Sequence, residues 1–489
     1  MNIVFVSSEV SPFAKTGGLG DVCGALPRAL ERLGHQVTIF TPLHRTAQRY
    51  CEVNGIELVP VTDSFLLRWA GWAITTRLFR AQLPGSDVPV IFVASGDLFD
   101  REAIYSPSID GRDDNVFRFT VFCRAVIRGC ELLDITPDIV HAHDWHTALL
   151  PVYLHSGLRG DLHFAKASSV FTIHNLNYQG RAPSNDFSQL GLWSGYWASD
   201  SLEYFGELNL MKGGIVFADR VTTVSPGYAR EVQYPQFGAG LDGLLRDQSW
   251  KFSGILNGID VEEWNPATDE HLAANFSPGR MNGKTISKRM LSKEAGIKSR
   301  PKTPLLAVVS RFAEQKGLDL VLSAGAQLIT AGAQLLVLGT GDRDIEEGFR
   351  ALASRYPSEC AVWLGFDEGL AHRIYAGADI LLMPSRYEPC GLNQMYALHY
   401  GTLPVVRLTG GLADTVTPFD GTNHDHANGF GFYSTNAQDL YLSTWIAMLN
   451  YRDSRLWKRL QQRGMGTDFS WEASALEYEK VYRLAAARG

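Results

Sequence analysis

The feature that most constrains the fold is a pair of successive series of short, apolar, β-branched runs separated by helical stretches. The first series comprises residues 3–7, 36–41, 138–142, 168–173 and 220–224, and the second comprises residues 305–310, 334–338, 361–364, 380–383 and 403–406. Runs that stay apolar without alternation are typical of strands buried on both faces of a parallel sheet. The pattern therefore predicts an α/β protein with two doubly wound domains, residues 1–254 and 255–470.

Length and composition agree with more than one globular core. The 489 residues are 45% hydrophobic and 20% charged, close to the average for globular proteins. Lys and Arg total 45 and Asp and Glu total 52, which gives a formal net charge of −7. Because a nucleic-acid binder needs a basic face, we expect no nucleic-acid partner.

The cysteines and the hydropathy of the chain indicate in which cellular compartment we expect the protein. The six cysteines form no CxxC pair and show no zinc-like spacing, which predicts reduced thiols in a reducing compartment. No run of eighteen uncharged apolar residues occurs, so we expect no membrane span. The first ten residues have neither a basic leader nor a cleavage-site pattern. We therefore expect a cytoplasmic protein, or the mature stromal form of a plastid protein, with no targeting segment in this chain.

A glycine-rich loop, KTGGLGDV at residues 15–22, follows the first apolar run. Consecutive glycines let backbone N–H groups approach an oxyanion, and a helix that begins near Asp21 would favour negative charge. Lys15 adds a full positive charge, so the loop suits anion binding. The alternative is a tight turn with an exposed lysine. The echo TGGLAD at residues 409–414 also follows a strand, at the sheet edge where open α/β sheets bind ligands.

Two further motifs follow strands of the second series. In RFAEQKG, residues 311–317, Arg311 and Lys316 suit a diphosphate, because Arg offers a bidentate fork and Lys a point charge. In SRYEPCGLNQ, residues 385–394, Pro389 and Gly391 predict a sharp turn at a helix start, beside which Glu388 could accept hydrogen bonds from sugar hydroxyls. The alternatives are two solvated cations and a glutamate that stabilises its own helix.

The histidine-rich motif HAHDWH, residues 141–146, ends a predicted strand. His141 and His143 share a face, but no third ligand is identified, so a role for Asp144 at the ligand-binding edge is preferred over a metal site. His174 also ends a strand, and its alternative is a buried, hydrogen-bonded histidine. No GxSxG elbow and no Cys–His signature of a covalent nucleophile is present.

Together these segments resemble the bacterial glycogen synthase and plant-type starch synthase family. The resemblance rests on residues 15–22, 141–146, 174–180 (HNLNYQG), 255–260 (ILNGID), 315–320 (QKGLDL), 385–398 (SRYEPCGLNQMYAL) and 409–416 (TGGLADTV), in the order and spacing of the family. It implies the GT-B fold, two Rossmann-like domains facing across a cleft. It also implies that the last helix, within residues 471–489, crosses back onto the first domain.

The resemblance also implies roles for individual residues. The residues expected to be catalytic are Lys15, Asp144, His174, Arg311, Lys316 and Glu388. Those expected to bind the donor are Lys15, Gly17, Gly18, Asn257, Arg311, Lys316, Phe366, Cys390, Gly391, Leu392, Thr409, Gly410, Gly411 and Leu412. Lys288 matches a family lysine to which no firm role is given. Tyr396 stands where many retaining GT-B relatives carry a second glutamate, so Glu388 is not expected to be one of a catalytic pair.

The function that the resemblance implies is retaining transfer of glucose from ADP-glucose to the non-reducing end of an α-1,4-glucan, with release of ADP. The domain of residues 255–470 would bind the donor and that of residues 1–254 the acceptor. No cofactor and no metal are expected, because cations and a helix end can neutralise the leaving diphosphate. The alternatives are a GT-B enzyme that uses UDP-glucose or a small acceptor, and a non-catalytic glucan-binding protein.

Overall fold

The computed structural model describes residues 1–105, 113–298, 300 and 302–487. The strands are β1 (Asn2–Val6), β2 (Gln36–Pro42), β3 (Val59–Pro60), β4 (Phe65–Trp69), β5 (Trp72–Gln82), β6 (Pro89–Ala94), β7 (Ile139–His143), β8 (Ser168–Ile173), β9 (Arg181–Pro183), β10 (Glu203–Tyr204), β11 (Glu207–Asn209), β12 (Arg220–Thr223), β13 (Phe252–Gly254), β14 (Leu305–Val309), β15 (Gln334–Gly339), β16 (Cys360–Leu364), β17 (Ile380–Met383), β18 (Leu403–Arg407) and β19 (Phe430–Phe432).

The helices are α1 (Gly18–Arg32), α2 (Arg45–Val53), α3 (Asn115–Leu132), α4 (Leu149–His155), α5 (Leu210–Phe217), α6 (Pro226–Glu231), α7 (Asp242–Asp247), α8 (Asn282–Glu294), α9 (Leu318–Thr330), α10 (Arg343–Arg355), α11 (Glu368–Gly377), α12 (Asn393–His399), α13 (Gly410–Thr415), α14 (Ala437–Asn450), α15 (Ser454–Met465) and α16 (Trp471–Ala486).

The chain forms two compact units, of which the first contains residues 1–224, 229–258 and 471–489. Its main sheet has the order β13-β12-β8-β7-β1-β2-β6-β5-β3, with β4 paired to β5. In this order, the strands from β13 to β6 run parallel to one another. Strand β5 pairs antiparallel with β6. Every residue of β7 and β8 is buried, as expected for strands covered on both faces.

The second unit contains residues 225–228 and 259–470. Its sheet has the order β16-β15-β14-β17-β18-β19, and all neighbouring pairs are parallel. The order reverses direction at β14, because the chain first builds outward to β16 and then returns to place β17 on the other side of β14. In open α/β sheets this switch point, at the carboxyl ends of the strands, is where ligands bind.

The doubly wound architecture predicted from the apolar runs is confirmed. Each of the ten predicted strands begins and ends within one residue of an observed strand. The strands that the pattern did not predict include the antiparallel hairpin β4–β5 and the parallel strands β6, β13 and β19. Helix α8, which precedes the second series of apolar runs, was also not predicted.

The last helix, α16, packs within the first unit. Its buried aromatic side chains, Trp471, Tyr478 and Tyr482, join the core cluster that covers one face of the main sheet together with α1. The Tyr482 hydroxyl lies 2.8 Å from His141 Nδ1. The first unit gives way to the second after residue 258, a few residues beyond the boundary expected at residue 254. Residues 488 and 489 of the expected 471–489 segment lie outside the described residues.

All six cysteines are buried and free of disulfide bonds. Among the helices in the described ranges, none is long and apolar enough to cross a lipid bilayer.

Candidate active site

An ion pair lies at the switch point of the second unit. Lys316 Nζ is 2.7 Å from Glu388 Oε2, and the Ser385 hydroxyl donates to the same oxygen at 2.9 Å. Lys316 ends a short 3-10 turn after β14, and Glu388 follows β17, the strand that pairs with β14. A pocket beside the pair is lined by Lys316, Ser385, Gly391 and Leu392, among others. The structure therefore brings together the two charged residues that the sequence placed on separate motifs.

The turn after Glu388 has a conformation that depends on glycine. Gly391 has φ +74°, in the left-handed region that side chains rarely adopt, and α12 begins two residues later at Asn393. The Gly411 N–H donates to the Glu388 carbonyl at 3.1 Å, and a Cβ at Gly411 would meet the Cys390 carbonyl oxygen at 2.2 Å. The two predicted motifs 385–394 and 409–414 thus pack directly on each other.

Other residues of the second unit that are expected to bind the donor also follow strands of its sheet. Thr409 precedes α13, whose first residues are Gly410, Gly411 and Leu412, and all four are buried. Arg311 is exposed just after β14. Phe366 follows β16 with 80% of its surface exposed, so its ring is available to a planar ligand.

In the first unit, the loop before α1 is held by a glutamate that sequence reasoning missed. Glu9 is buried and accepts hydrogen bonds from the Thr16 N–H, the Thr16 hydroxyl and the Tyr105 hydroxyl, at 2.5, 2.7 and 2.5 Å. Lys15, next to Thr16, is partly exposed and pairs with Asp21 at 2.8 Å. The only sequence signal for Glu9 is its position as a carboxylate just beyond the first apolar run.

The glycines of this loop serve two different purposes. A Cβ at Gly17 or Gly18 would meet nothing within 4 Å, whereas a Cβ at Gly20 would lie 2.5 Å from Lys15 Cβ. Gly20 is therefore needed for packing, and Gly17 and Gly18 face open space. The expected helix start near Asp21 is wrong. Helix α1 begins at Gly18, so Gly18 and Gly20 already belong to its first turn.

Asp144 and His174 are brought together at the ends of β7 and β8. The His174 N–H donates to Asp144 Oδ1 at 2.7 Å, and His174 Nε2 lies 3.0 Å from His143 Nδ1. Burial raises the pKa of Asp144 to about 7, against the lowering effect of hydrogen bonds from the His174 and Asn175 N–H groups. Burial lowers the pKa of His174 to about 3, so this imidazole is neutral near pH 7.

Two other polar residues of this region differ in whether their side-chain atoms have hydrogen-bond partners. His141 contacts the Thr172 hydroxyl through Nε2 at 2.7 Å and the Tyr482 hydroxyl through Nδ1, which is the arrangement of a structural histidine. Asn257 is buried, and its Oδ1 has no hydrogen-bond partner among the described residues. A buried amide oxygen without a partner is costly, which marks Asn257 as a residue that a ligand could satisfy.

Lys288 lies away from the switch point. Its Nζ is 2.6 Å from Asp379 Oδ2 and also donates to the Thr303 carbonyl and the Tyr451 hydroxyl. This lysine therefore ties α8 to the amino-terminal side of the second sheet, where β14 begins, opposite the edge that carries Lys316.

Comparison with known proteins agrees with this geometry. Residues 2–247 match the family model described as the starch synthase catalytic domain, and residues 292–448 match the model described as glycosyl transferases group 1. The chain is 46% identical over 488 residues to a glycogen synthase of Anaeromyxobacter sp., with 100% of both chains covered. It is 44% identical over 489 residues to a glycogen synthase of Thermotoga maritima, covering 100% of this chain and 99% of the relative.

The chain belongs to the glycogen and starch synthase family. Among solved structures, it is similar to the catalytic domain of starch synthase IV from Arabidopsis thaliana bound to ADP and acarbose, with a TM-score of 0.90, 34% identity and coverage of 100% of this chain and 99% of that one. A sucrose-phosphate synthase from Thermosynechococcus elongatus has a TM-score of 0.60 at 18% identity over 100% of both chains, a likeness of fold alone. The GT-B fold class expected for this family is confirmed.

Proposed function

We propose that this chain is a glycogen synthase that transfers glucose from ADP-glucose to the non-reducing end of an α-1,4-glucan with retention of configuration. The observation that carries the proposal is the Lys316–Glu388 pair at the switch point of the second unit, in a chain that matches glycogen synthases over its full length. The starch synthase structure to which it is similar binds ADP and acarbose, a nucleotide and a glucan-like oligosaccharide.

The role proposed for Lys316 follows from the charge that develops during transfer. Cleavage of the bond between glucose C1 and the diphosphate oxygen places negative charge on the leaving ADP. An ammonium group has three N–H donors, so Lys316 can keep its contact with Glu388 while it donates to a phosphate oxygen. Arg311 and the N–H groups of Gly391 and Leu392 would share that charge, as preorganised donors that stabilise the transition state.

Glu388 is proposed to hold the glucose rather than to attack it. Its Oε2 is occupied by Lys316 and Ser385, which leaves Oε1 to accept hydrogen bonds from sugar hydroxyls. Because Tyr396 occupies the position of the second glutamate in many relatives, Glu388 is assigned a binding role.

In the first unit, Asp144 and His174 are proposed to act on the sugar end of the reaction. His174 Nε2 is engaged with His143, so contact with a glucose hydroxyl would go through Nδ1. Asp144, with a pKa of about 7, would accept or return the proton of an attacking hydroxyl near neutral pH. Lys15, Gly17, Gly18 and Asn257 are proposed to complete the binding residues. Transfer is proposed to need no metal or cofactor.

The experiment that tests this function measures nucleotide release from ADP-glucose and from UDP-glucose, with and without glycogen or maltooligosaccharides. We expect glucan-dependent release of ADP in the presence of a chelator, with the α-1,4 linkage and retention read from the product by NMR. Release of nucleotide only from UDP-glucose would contradict the proposed donor. Release only with a small non-glucan acceptor would contradict the proposed acceptor. A folded protein that binds glucan but releases no nucleotide would contradict catalysis itself.

A further inference from the structure

Three metal-ligating side chains converge in the second unit, away from the Lys316–Glu388 pair. One ligand atom from each of Glu263, Glu368 and His372 lies within 4.8 Å of the other two, and the described residues contain no other such group. Glu368 and His372 are four residues apart on α11, so they project from one face of that helix. Glu263 comes from the turn that follows Asp260. Both glutamates are exposed and His372 is buried.

His372 is oriented as a metal-ligating histidine would be. Its Nδ1 lies 2.8 Å from Asp269 Oδ2 and 3.2 Å from the Tyr400 hydroxyl. Both hydrogen bonds of the ring use Nδ1, and among the described residues Nε2 has no hydrogen-bond partner although the side chain is only 2% exposed. A histidine whose Nδ1–H is held by a carboxylate presents Nε2 in a fixed direction, the arrangement common in zinc sites.

The surroundings keep this ring from turning away. The Trp264 indole stacks on His372 with ring centroids 3.8 Å apart and an interplanar angle of 10°. His271 approaches from another side, with its ring centroid 4.8 Å from that of His372. Asp269 Oδ1 also accepts a hydrogen bond from the backbone N–H of His271 at 2.8 Å, so the same buried carboxylate holds the chain that carries His271.

We propose that Glu263, Glu368 and His372 Nε2 bind a divalent transition metal ion of the Zn²⁺ type. One imidazole nitrogen with two carboxylate oxygens is a ligand set that such ions accept, with water or His271 completing four-coordination. Bound ligand atoms would stand about 3.3 Å apart, as tetrahedral bonds of about 2.0 Å require. Because both glutamates are exposed, their side chains can close that gap without moving the buried histidine.

The metal would act as a clamp and take no part in glucose transfer. Binding joins the turn of residues 261–264, which follows the ILNGID segment, to the first turn of α11, which follows the loop carrying Phe366. An ion that binds only the folded arrangement stabilises it by mass action. The second unit would therefore be more resistant to unfolding when the metal is bound, whatever donor or acceptor the enzyme uses.

The test is a Co²⁺ titration of the full chain after removal of metal with a chelator, followed by visible absorption and by displacement with Zn²⁺. We expect saturation at one Co²⁺ per chain and a rise in the melting temperature on adding Zn²⁺. Glu368→Gln and Glu263→Gln should each weaken binding at least about tenfold and abolish that rise. Glu262→Gln is the matched control, since it removes the same charge from the neighbouring exposed residue and should bind as the wild type does.

His372 variants are not needed for the decision, because loss of that buried ring could disturb folding. The proposal is overturned if Co²⁺ fails to saturate, or if Glu368→Gln and Glu263→Gln bind Co²⁺ with the wild-type affinity and stoichiometry. Binding that falls equally in Glu262→Gln would also overturn it, since that result indicates general surface charge. Because the readouts are absorption and melting temperature, they are independent of whether the proposed glucosyl transfer is correct.

Discussion

Glu388 and Lys316 share one ion pair, so neither can be altered without leaving the other incompletely paired. The Lys316 side chain is about one-fifth exposed and Glu388 is buried. At this exposure a charge that loses its partner is only partly rehydrated, and the remaining group is free to move. The pair therefore holds each side chain in place as well as neutralising its charge.

The first prediction concerns this pair. Lys316→Ala should lower turnover at least about 100-fold, the usual effect of removing one preorganised donor, without unfolding the protein. Glu388→Gln should lose transfer while keeping ADP binding, measured by calorimetry. The double variant should lose much less than the product of the two single effects, because each substitution already breaks the same contact.

Lys480→Ala supplies the control for that cycle. Lys480 forms an exposed pair with Glu477 on α16, and its removal should leave turnover unchanged. Near-normal turnover in Lys316→Ala would contradict the diphosphate role. Multiplicative effects in the double variant would contradict coupling through the ion pair.

The second prediction follows from the burial of Asp144. Its pKa of about 7 lies above the ordinary value of 3.8, so the folded protein holds a proton between those pH values that the unfolded chain has released. The contribution of this group to stability is therefore present below about pH 4 and is lost as the pH rises through 7. Asp144→Asn should become more stable relative to wild type over that range, by up to about 4 kcal/mol at about 1.4 kcal/mol per pKa unit.

Denaturant unfolding at pH 5 and pH 8 measures this change, and Asp134→Asn is its matched control. Both aspartates have a positive φ, +55° for Asp144 and +53° for Asp134, a region that asparagine also tolerates. The Asp134 side chain is 96% exposed, so its loss should change stability little at either pH. A difference between wild type and Asp144→Asn that is the same at both pH values would contradict the raised pKa.

At the scale of elements, α8 shows why one helix escaped prediction. Its inward face carries Gly283, Lys284, Ser287, Lys288 and Leu291, which recur at helical spacing but are mostly polar. Hydrophobic periodicity finds a helix only when the buried face is apolar. Lys284 is buried because its Nζ donates to the Tyr375, Ala376 and Tyr400 carbonyls and to the Thr402 hydroxyl, satisfying the ends of α11 and α12.

The central strands were predictable for the opposite reason. Strands such as β8 and β15 are buried along their whole length, so their sequences are continuous apolar or small runs, apart from Gln334 at the start of β15. The hairpin β4–β5 lies at an exposed edge, where only alternate residues are buried and arginines interrupt the pattern. Among the site residues, motifs pointed to Lys316 and Glu388, but their contact and the role of Glu9 required the three-dimensional structure.

The third prediction tests the attachment of α8. Asp379 Oδ2 accepts from Lys288 Nζ at 2.6 Å and from the Leu305 N–H at 2.8 Å, and the Lys288 and Asp379 side chains are about one-tenth exposed. Asp379→Asn leaves the lysine charge buried without a carboxylate, so it should lower the free energy of unfolding by about 3–5 kcal/mol. Denaturant titration followed by circular dichroism measures the loss.

Glu347→Gln is the control for this prediction, because Glu347 pairs with Arg343 on the surface of α10, where both side chains are more than half exposed. Its effect should stay within about 0.5 kcal/mol. Equal losses in the free energy of unfolding for Asp379→Asn and Glu347→Gln would show that burial does not increase the contribution of the Lys288–Asp379 pair to stability.

At the scale of the whole molecule, the first unit is built from both ends of the chain. Its core contains Trp471, Tyr478 and Tyr482 of α16 beside α1, although more than two hundred residues of the second unit lie between them in sequence. The two connecting segments run side by side: Ile259 pairs with Ser470, and the Ser474 hydroxyl donates to the Leu256 carbonyl at 2.7 Å. Residues 258 and 471 are therefore close in space.

The fourth prediction follows from this connection. A fragment of residues 1–258 should lack cooperative unfolding and bind a hydrophobic dye, because the core face that α16 covers is open to water. Joining residue 258 to residues 471–489 through a short Gly-Ser linker should restore a cooperative thermal transition, since the chain ends already meet. A scrambled 471–489 segment on the same linker is the control and should restore nothing. If the fragment alone melts as cooperatively as the linked form, α16 only covers a core that is complete without it, and folding of the first unit does not have to wait for the end of the chain.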